Sequence, residues 1–144
     1  MQLFCTHLFK KEYEKLLKNK SYRSIEPEII NAFFEKEVSE VNNGTRLNFS
    51  EDVPYIKKRI GGRGGFRIYF LLIIKNECLY FMFVHPKSGS EGADNINEDS
   101  KAKIYKDILI DIQSGGLFQM KLSDCKKLIN FQPPTISEIE PSIS

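Results

Sequence analysis

The spacing of apolar positions changes twice along the chain. Leu3 to Cys5 is a short apolar run that reads as a strand. Leu8, Phe9, Tyr13, Leu16 and Leu17 then recur at helical spacing, and Thr6 is a suitable N-cap, so the pattern predicts a first helix to about Lys18. Asn19 to Ser24 is a polar break. A second stripe follows at Ile29, Ile30, Phe33, Phe34, Val38 and Val41. That helix opens near Glu26-Pro27-Glu28, with proline in the first turn and acids at the positive end of the dipole. Asn42-Asn43-Gly44 closes it.

From Tyr55 the composition turns aromatic and β-branched, and the pattern predicts strands over Tyr55–Ile60, Phe66–Lys75 and Cys78–His85. Their joints, Gly61-Gly62-Arg63-Gly64-Gly65 and Lys75-Asn76-Glu77, are short, so the strands form an antiparallel meander. The second and third strands are nearly apolar on both faces, which calls for helices over one face. Simple alternation puts Leu79, Phe81, Phe83 and His85 on a single face. Pro86 to Asn97 reads as a loop, Glu98 to Gln113 as a third helix stopped by Gly115-Gly116, and Leu117 to Leu122 as a strand on a sheet edge. The expected organisation is one α+β domain over residues 1–122, with 123–144 a flexible, proline-bearing extension.

The length of 144 residues fits one domain, and 41% hydrophobic with 28% charged residues argues against wholesale disorder. The three cysteines, Cys5, Cys78 and Cys125, cannot all pair within one chain and have no CxxC spacing; they read as free, mostly buried thiols in a reducing compartment. With only two histidines, a Cys/His zinc site is not expected. The longest apolar run, Ile68 to Ile74, is far short of the roughly 20 residues that span a bilayer, and the first residues lack the order of a signal peptide. A soluble, cytoplasmic protein is expected.

The net charge of +2 identifies no partner, but its distribution is informative. Between Ile25 and Asp52, seven acids (Glu26, Glu28, Glu35, Glu37, Glu40, Glu51, Asp52) face two bases, Lys36 and Arg46. From Val53 to Lys75 stand Lys57, Lys58, Arg59, Arg63, Arg67 and Lys75, with no acid. Alternation places Tyr55, Lys57 and Arg59 on one face of the first central strand, and Arg67 and Tyr69 together on the next. Like charges facing one another across a hairpin on an apolar sheet cost free energy unless an anion sits between them. A polyphosphate chain meets that need, and tyrosine rings can stack on bases. A solvated, aggregation-resistant sheet edge is the plainer explanation of the same charges.

The glycine-rich joint connects two strands rather than a strand and a helix, so it is a hairpin turn and not a dinucleotide fingerprint. His85, at the end of the third strand, is either a proton donor or acceptor near neutral pH or a structural histidine. No carboxylate pair has metal-ligand spacing.

Three segments together, Ile56-Lys57-Lys58-Arg59-Ile60, Gly64-Gly65-Phe66-Arg67-Ile68-Tyr69-Phe70 and Val84-His85-Pro86-Lys87, resemble the RelE/ParE superfamily of bacterial toxins from type II toxin–antitoxin pairs, in particular its RelE/HigB-like branch. The order of expected elements over Leu3 to Ile112 is also similar. The resemblance implies a RelE-like fold: a small antiparallel sheet, two N-terminal helices on one face and a third helix after the sheet. It implies a ribosome-dependent, metal- and cofactor-independent messenger RNA endoribonuclease that inhibits translation, with a cognate antitoxin, the ribosome and messenger RNA as partners and no membrane. By matching positions, Lys57, Arg59, Arg67 and His85 would be catalytic: the first two on phosphate or base, Arg67 on the transition state, His85 as general acid or base. Lys58, Arg63, Tyr69 and Lys87 would bind RNA. Two alternatives share the resemblance: a ParE-like toxin that inhibits gyrase, and a RelE-fold binding module without catalysis.

Overall fold

The computed structural model describes residues 1–22, 24–61, 65–86, 106–107, 109–111, 114 and 117–133. Its elements are β1 (Gln2–Cys5), α1 (His7–Leu17), a 3-10 turn (Lys20–Tyr22), α2 (Ile25–Phe33), α3 (Val38–Val41), β2 (Thr45–Arg46), β3 (Tyr55–Ile60), β4 (Phe66–Ile73), β5 (Cys78–Pro86), β6 (Phe118–Leu122) and β7 (Ile129–Gln132). All seven strands join one sheet in the order β2-β3-β4-β5-β1-β6-β7. Only the β1–β5 pairing is parallel; the other five are antiparallel. The expected central meander is β3-β4-β5, and the fold is α+β.

The sheet is larger than the small one expected. β1 lies beside β5, β6 pairs with β1, and β7 extends the sheet beyond β6. β7 falls in the segment read as a flexible extension. Its strand is held from the helix side: the Glu26 carboxylate of α2 accepts from the Ile129 amide at 2.9 Å, and the Phe131 ring lies 5.7 Å from Tyr13. Those partners are about a hundred residues away in sequence, so no local pattern announces them. Residues 134–144 of the extension lie outside the described residues, as does most of the expected third helix.

Thr6 caps α1 as expected, its hydroxyl accepting from the Phe9 amide at 3.0 Å. The second expected helix is two. α2 stops at Phe33, Phe34 is extended, and Glu35 takes a left-handed φ of 58°. The break lets both Phe33 and Phe34 enter the core. Glu37 then opens α3 through a capping box with Glu40, a signal the sequence carries but the apolar stripe conceals.

Two apolar clusters lie on opposite faces of the sheet. On one, Phe9, Tyr13 and Leu16 of α1 and Ile25, Ile29 and Phe33 of α2 pack on Ile56, Phe70, Phe81 and Val84. Both N-terminal helices therefore cover the same face. On the other, Tyr55, Tyr69, Leu71, Tyr80 and Phe83 form a second cluster with Phe4. Central strands buried on both faces explain why β4 and β5 are apolar almost throughout. The β3–β4 joint depends on glycine. Gly61 has φ +85°, and a Cβ on Gly65 would collide with the Ile60 carbonyl oxygen.

Candidate functional site

The geometry of the site begins with register. Across β3 and β4, Lys57 faces Tyr69, Lys58 faces Ile68 and Arg59 faces Arg67. Across β4 and β5, Arg67 faces His85, Ile68 faces Val84 and Tyr69 faces Phe83. Directly opposed residues share a face. Arg59, Arg67 and His85 thus form one row over three adjacent strands, with Lys57, Tyr69 and Phe83 as the next row. Because Tyr69 and Phe83 belong to the cluster opposite the helices, the row lies on that face.

A β-bulge brings His85 into the row. Phe70 pairs with Phe81 and Tyr69 with Phe83, so Met82 is left without a register partner on β4. One extra residue in a strand reverses which face the following side chains take. Leu79 and Phe81 therefore point to the helices, whereas Phe83 points to the other cluster. This corrects the simple alternation that set Leu79, Phe81, Phe83 and His85 together. Without the bulge, His85 would face the helices, away from both arginines. The bulge is itself anchored. The Thr6 hydroxyl donates to the Met82 carbonyl at 2.6 Å, and the Thr6 amide to the Phe81 carbonyl at 3.0 Å.

Arg59 is exposed, whereas Lys57, Arg67 and His85 are partly buried. The His85 ring lies 5.2 Å from that of Phe83 and 6.3 Å from that of Tyr69. Its Nδ1 is 3.2 Å from Oε2 of Glu12, a residue of α1 to which the sequence reading assigned no role. Cations at the end of an aromatic floor, beside a titratable imidazole, have the chemistry to hold a phosphodiester and to exchange protons with it.

Lys58 does not join the row. It projects to the helix face, with Nζ 5.5 Å from the centre of the Phe33 ring, and burial there lowers its pKa. Tyr69 is on the row's face but only 2% exposed, packed 4.5 Å from Phe83, so it supports the site from below rather than offering a ring for a base to stack on. Burial likewise pushes the Tyr55 phenol up, with Tyr69 adding to the shift. Arg63 and Lys87 lie outside the described residues. A second basic surface lies along α1, where His7, Lys10, Lys11, Lys15, Lys18 and Phe118 line a shallow depression together with Glu14.

Among the described residues no group of three or more His, Cys, Asp and Glu side chains is arranged to hold a metal ion, and no helix is long and apolar enough to cross a membrane. All three cysteines are free thiols; Cys5 and Cys78 are buried, in line with the expectation of mostly buried thiols, and Cys125 is exposed. No family model matches the chain, and no curated protein matches it.

Proposed function

We propose that this chain is the toxin of a type II toxin–antitoxin pair, of RelE-like fold, and that it cleaves messenger RNA on the ribosome. The observation that carries the reading is the Arg59–Arg67–His85 row, three adjacent strands contributing two guanidinium groups and an imidazole at one level of one face. The basic β3–β4 hairpin and the resemblance of its segments to the RelE/HigB-like branch support the same conclusion.

In the reaction, the RNA 2′-hydroxyl oxygen attacks the adjacent phosphorus and the P–O5′ bond breaks. The 2′-hydroxyl gives up one proton, and the leaving 5′-oxygen takes one. Negative charge grows on the non-bridging phosphate oxygens. Arg67, partly buried between Arg59 and His85 in the ladder, would neutralise that charge; removal of such a donor commonly costs about 10²–10³ in rate. Arg59 and Lys57 grip the flanking backbone. His85 exchanges a proton with the 2′- or 5′-oxygen, a role worth about 10²–10⁴. Lys58 has no part in this arrangement. The antitoxin would inhibit by laying acidic residues over the row.

Expression of the chain without an antitoxin is expected to arrest growth and to leave messenger RNA cut within reading frames. Growth arrest with intact messenger RNA and a DNA-damage response would point to gyrase inhibition instead. Salt-dependent RNA binding without growth arrest would indicate a non-catalytic module.

A further inference from the structure

The geometry points to Glu12 as the residue that sets the orientation and charge state of His85. This inference rests on the proposed cleavage for its consequence in catalysis, but the interaction itself is independent of it. One carboxylate spans two consecutive residues of β5: Oε1 accepts from the Val84 amide at 3.3 Å, and Oε2 lies 3.2 Å from Nδ1 of His85. Both side chains are largely withdrawn from water, at 23% exposed for Glu12 and 19% for His85.

The match of α1 to β5 explains why Glu12 reaches this point. β1 accompanies β5 only as far as Phe81, and the chain then turns into α1 at Thr6. Thr6 is tied to Met82. Six residues of helix beyond Thr6 advance about 9 Å, and three residues of strand beyond Met82 advance about 10 Å. Glu12 therefore arrives level with His85, along the stretch of β5 that β1 no longer covers.

With Nδ1–H donated to the carboxylate, the neutral imidazole is held in the tautomer whose basic nitrogen is Nε2, and the imidazolium is stabilised when it forms. The groups facing His85 act in opposite directions. Glu12 on α1 favours the protonated ring; Arg67 on β4, with Arg59 beyond it on β3, disfavours it; Tyr69 and Phe83 pack on it as rings. Glu12 is thus a positioning residue that keeps a histidine able to take up a proton beside two arginines. A plainer role would be only to satisfy the Val84 amide at an uncovered strand edge.

Glu12→Gln separates the two roles, because a Gln side-chain oxygen still accepts from the Val84 amide but carries no charge. The test is a ¹H–¹⁵N NMR titration of the imidazoles in the full chain, with His85→Gln identifying the His85 signals against those of His7. Wild type is expected to show His85 as the Nε2-basic tautomer. In Glu12→Gln its titration midpoint should move to lower pH, in a protein whose amide spectrum remains folded. In ribosome-dependent cleavage, Glu12→Gln should lose about tenfold or more of kcat, part of what a positioned acid or base supplies. The His85 limb of the pH profile should move acidward, and adding Glu12→Gln to His85→Gln should cost nothing further. An unchanged midpoint and tautomer in folded Glu12→Gln overturns the assignment, as does an equal activity loss in the His85→Gln background. If no preparation cleaves RNA, the proposed function fails, while the NMR comparison still decides the Glu12–His85 relationship.

Discussion

Arg67 stands opposite His85 in the β4–β5 ladder, and it does so because Met82 between Phe81 and Phe83 is bulged out of register. The same bulge is clamped from the start of α1 by the Thr6 hydroxyl, which donates to the Met82 carbonyl. Fold and site are therefore coupled at one residue of β5.

Thr6 both caps α1 and holds the bulge. Thr6→Ala is expected to lower stability by about 1–2 kcal/mol, the usual cost of a lost N-cap with an added buried hydrogen bond. Urea unfolding measures this. Cleavage should fall as well, by more than in a variant of equal stability altered far from β5.

Arg59 and Arg67 are directly opposed in the β3–β4 ladder, and like charges so placed are destabilising. Arg59→Gln should raise unfolding free energy by roughly 0.2–1 kcal/mol at low ionic strength, with the gain shrinking as salt rises. The same variant should bind RNA less tightly and with a shallower salt dependence. Urea melts and binding titrations across a salt series check both.

Adjacent lysines of β3 should behave differently. Lys57→Met is expected to weaken RNA cleavage, whereas Lys58→Met should leave it within about twofold, since Lys58 faces Phe33 on the helix side. Burial lowers the Lys58 pKa, so its charged form is disfavoured in the folded state. Wild-type stability should therefore rise with pH just below the ordinary lysine range, where the unfolded chain still binds that proton. Any advantage of Lys58→Met over wild type should shrink over the same interval.

Cys125 should be the reactive thiol. It is exposed, and a hydrogen bond with Ser123, 3.2 Å away, lowers its pKa, whereas burial pushes the Cys5 thiol up. Brief iodoacetamide treatment at neutral pH should label Cys125 in the folded protein, with Cys5 and Cys78 labelled only on unfolding. Equal labelling of Cys5 would contradict its position in the core.

Local pattern revealed the elements whose cause is local: the Thr6 cap, the 3.6-residue stripe of α1, and the aromatic strands β3 to β5 with their short joints. It also exposed the acid-free hairpin from which Lys57, Arg59 and Arg67 project. It missed what long-range partners decide. Phe34 leaves the helix because the core accepts both it and Phe33, and β7 exists because Glu26 and Tyr13 receive it. The bulge at Met82 depends on Thr6, 76 residues away, so His85 could not be assigned its face from alternation. Glu12 went unnoticed because α1 carries two acids, Glu12 and Glu14, among its lysines, and neither has a distinguishing spacing.

The most direct test of the account is messenger RNA cleavage in a purified translation system, read by primer extension, comparing wild type with Arg67→Ala of verified fold. Ribosome-dependent cuts by wild type, and a loss of about a hundredfold or more in Arg67→Ala, are the predicted result. Equal cleavage by the two proteins would contradict the central role given to the Arg59–Arg67–His85 row.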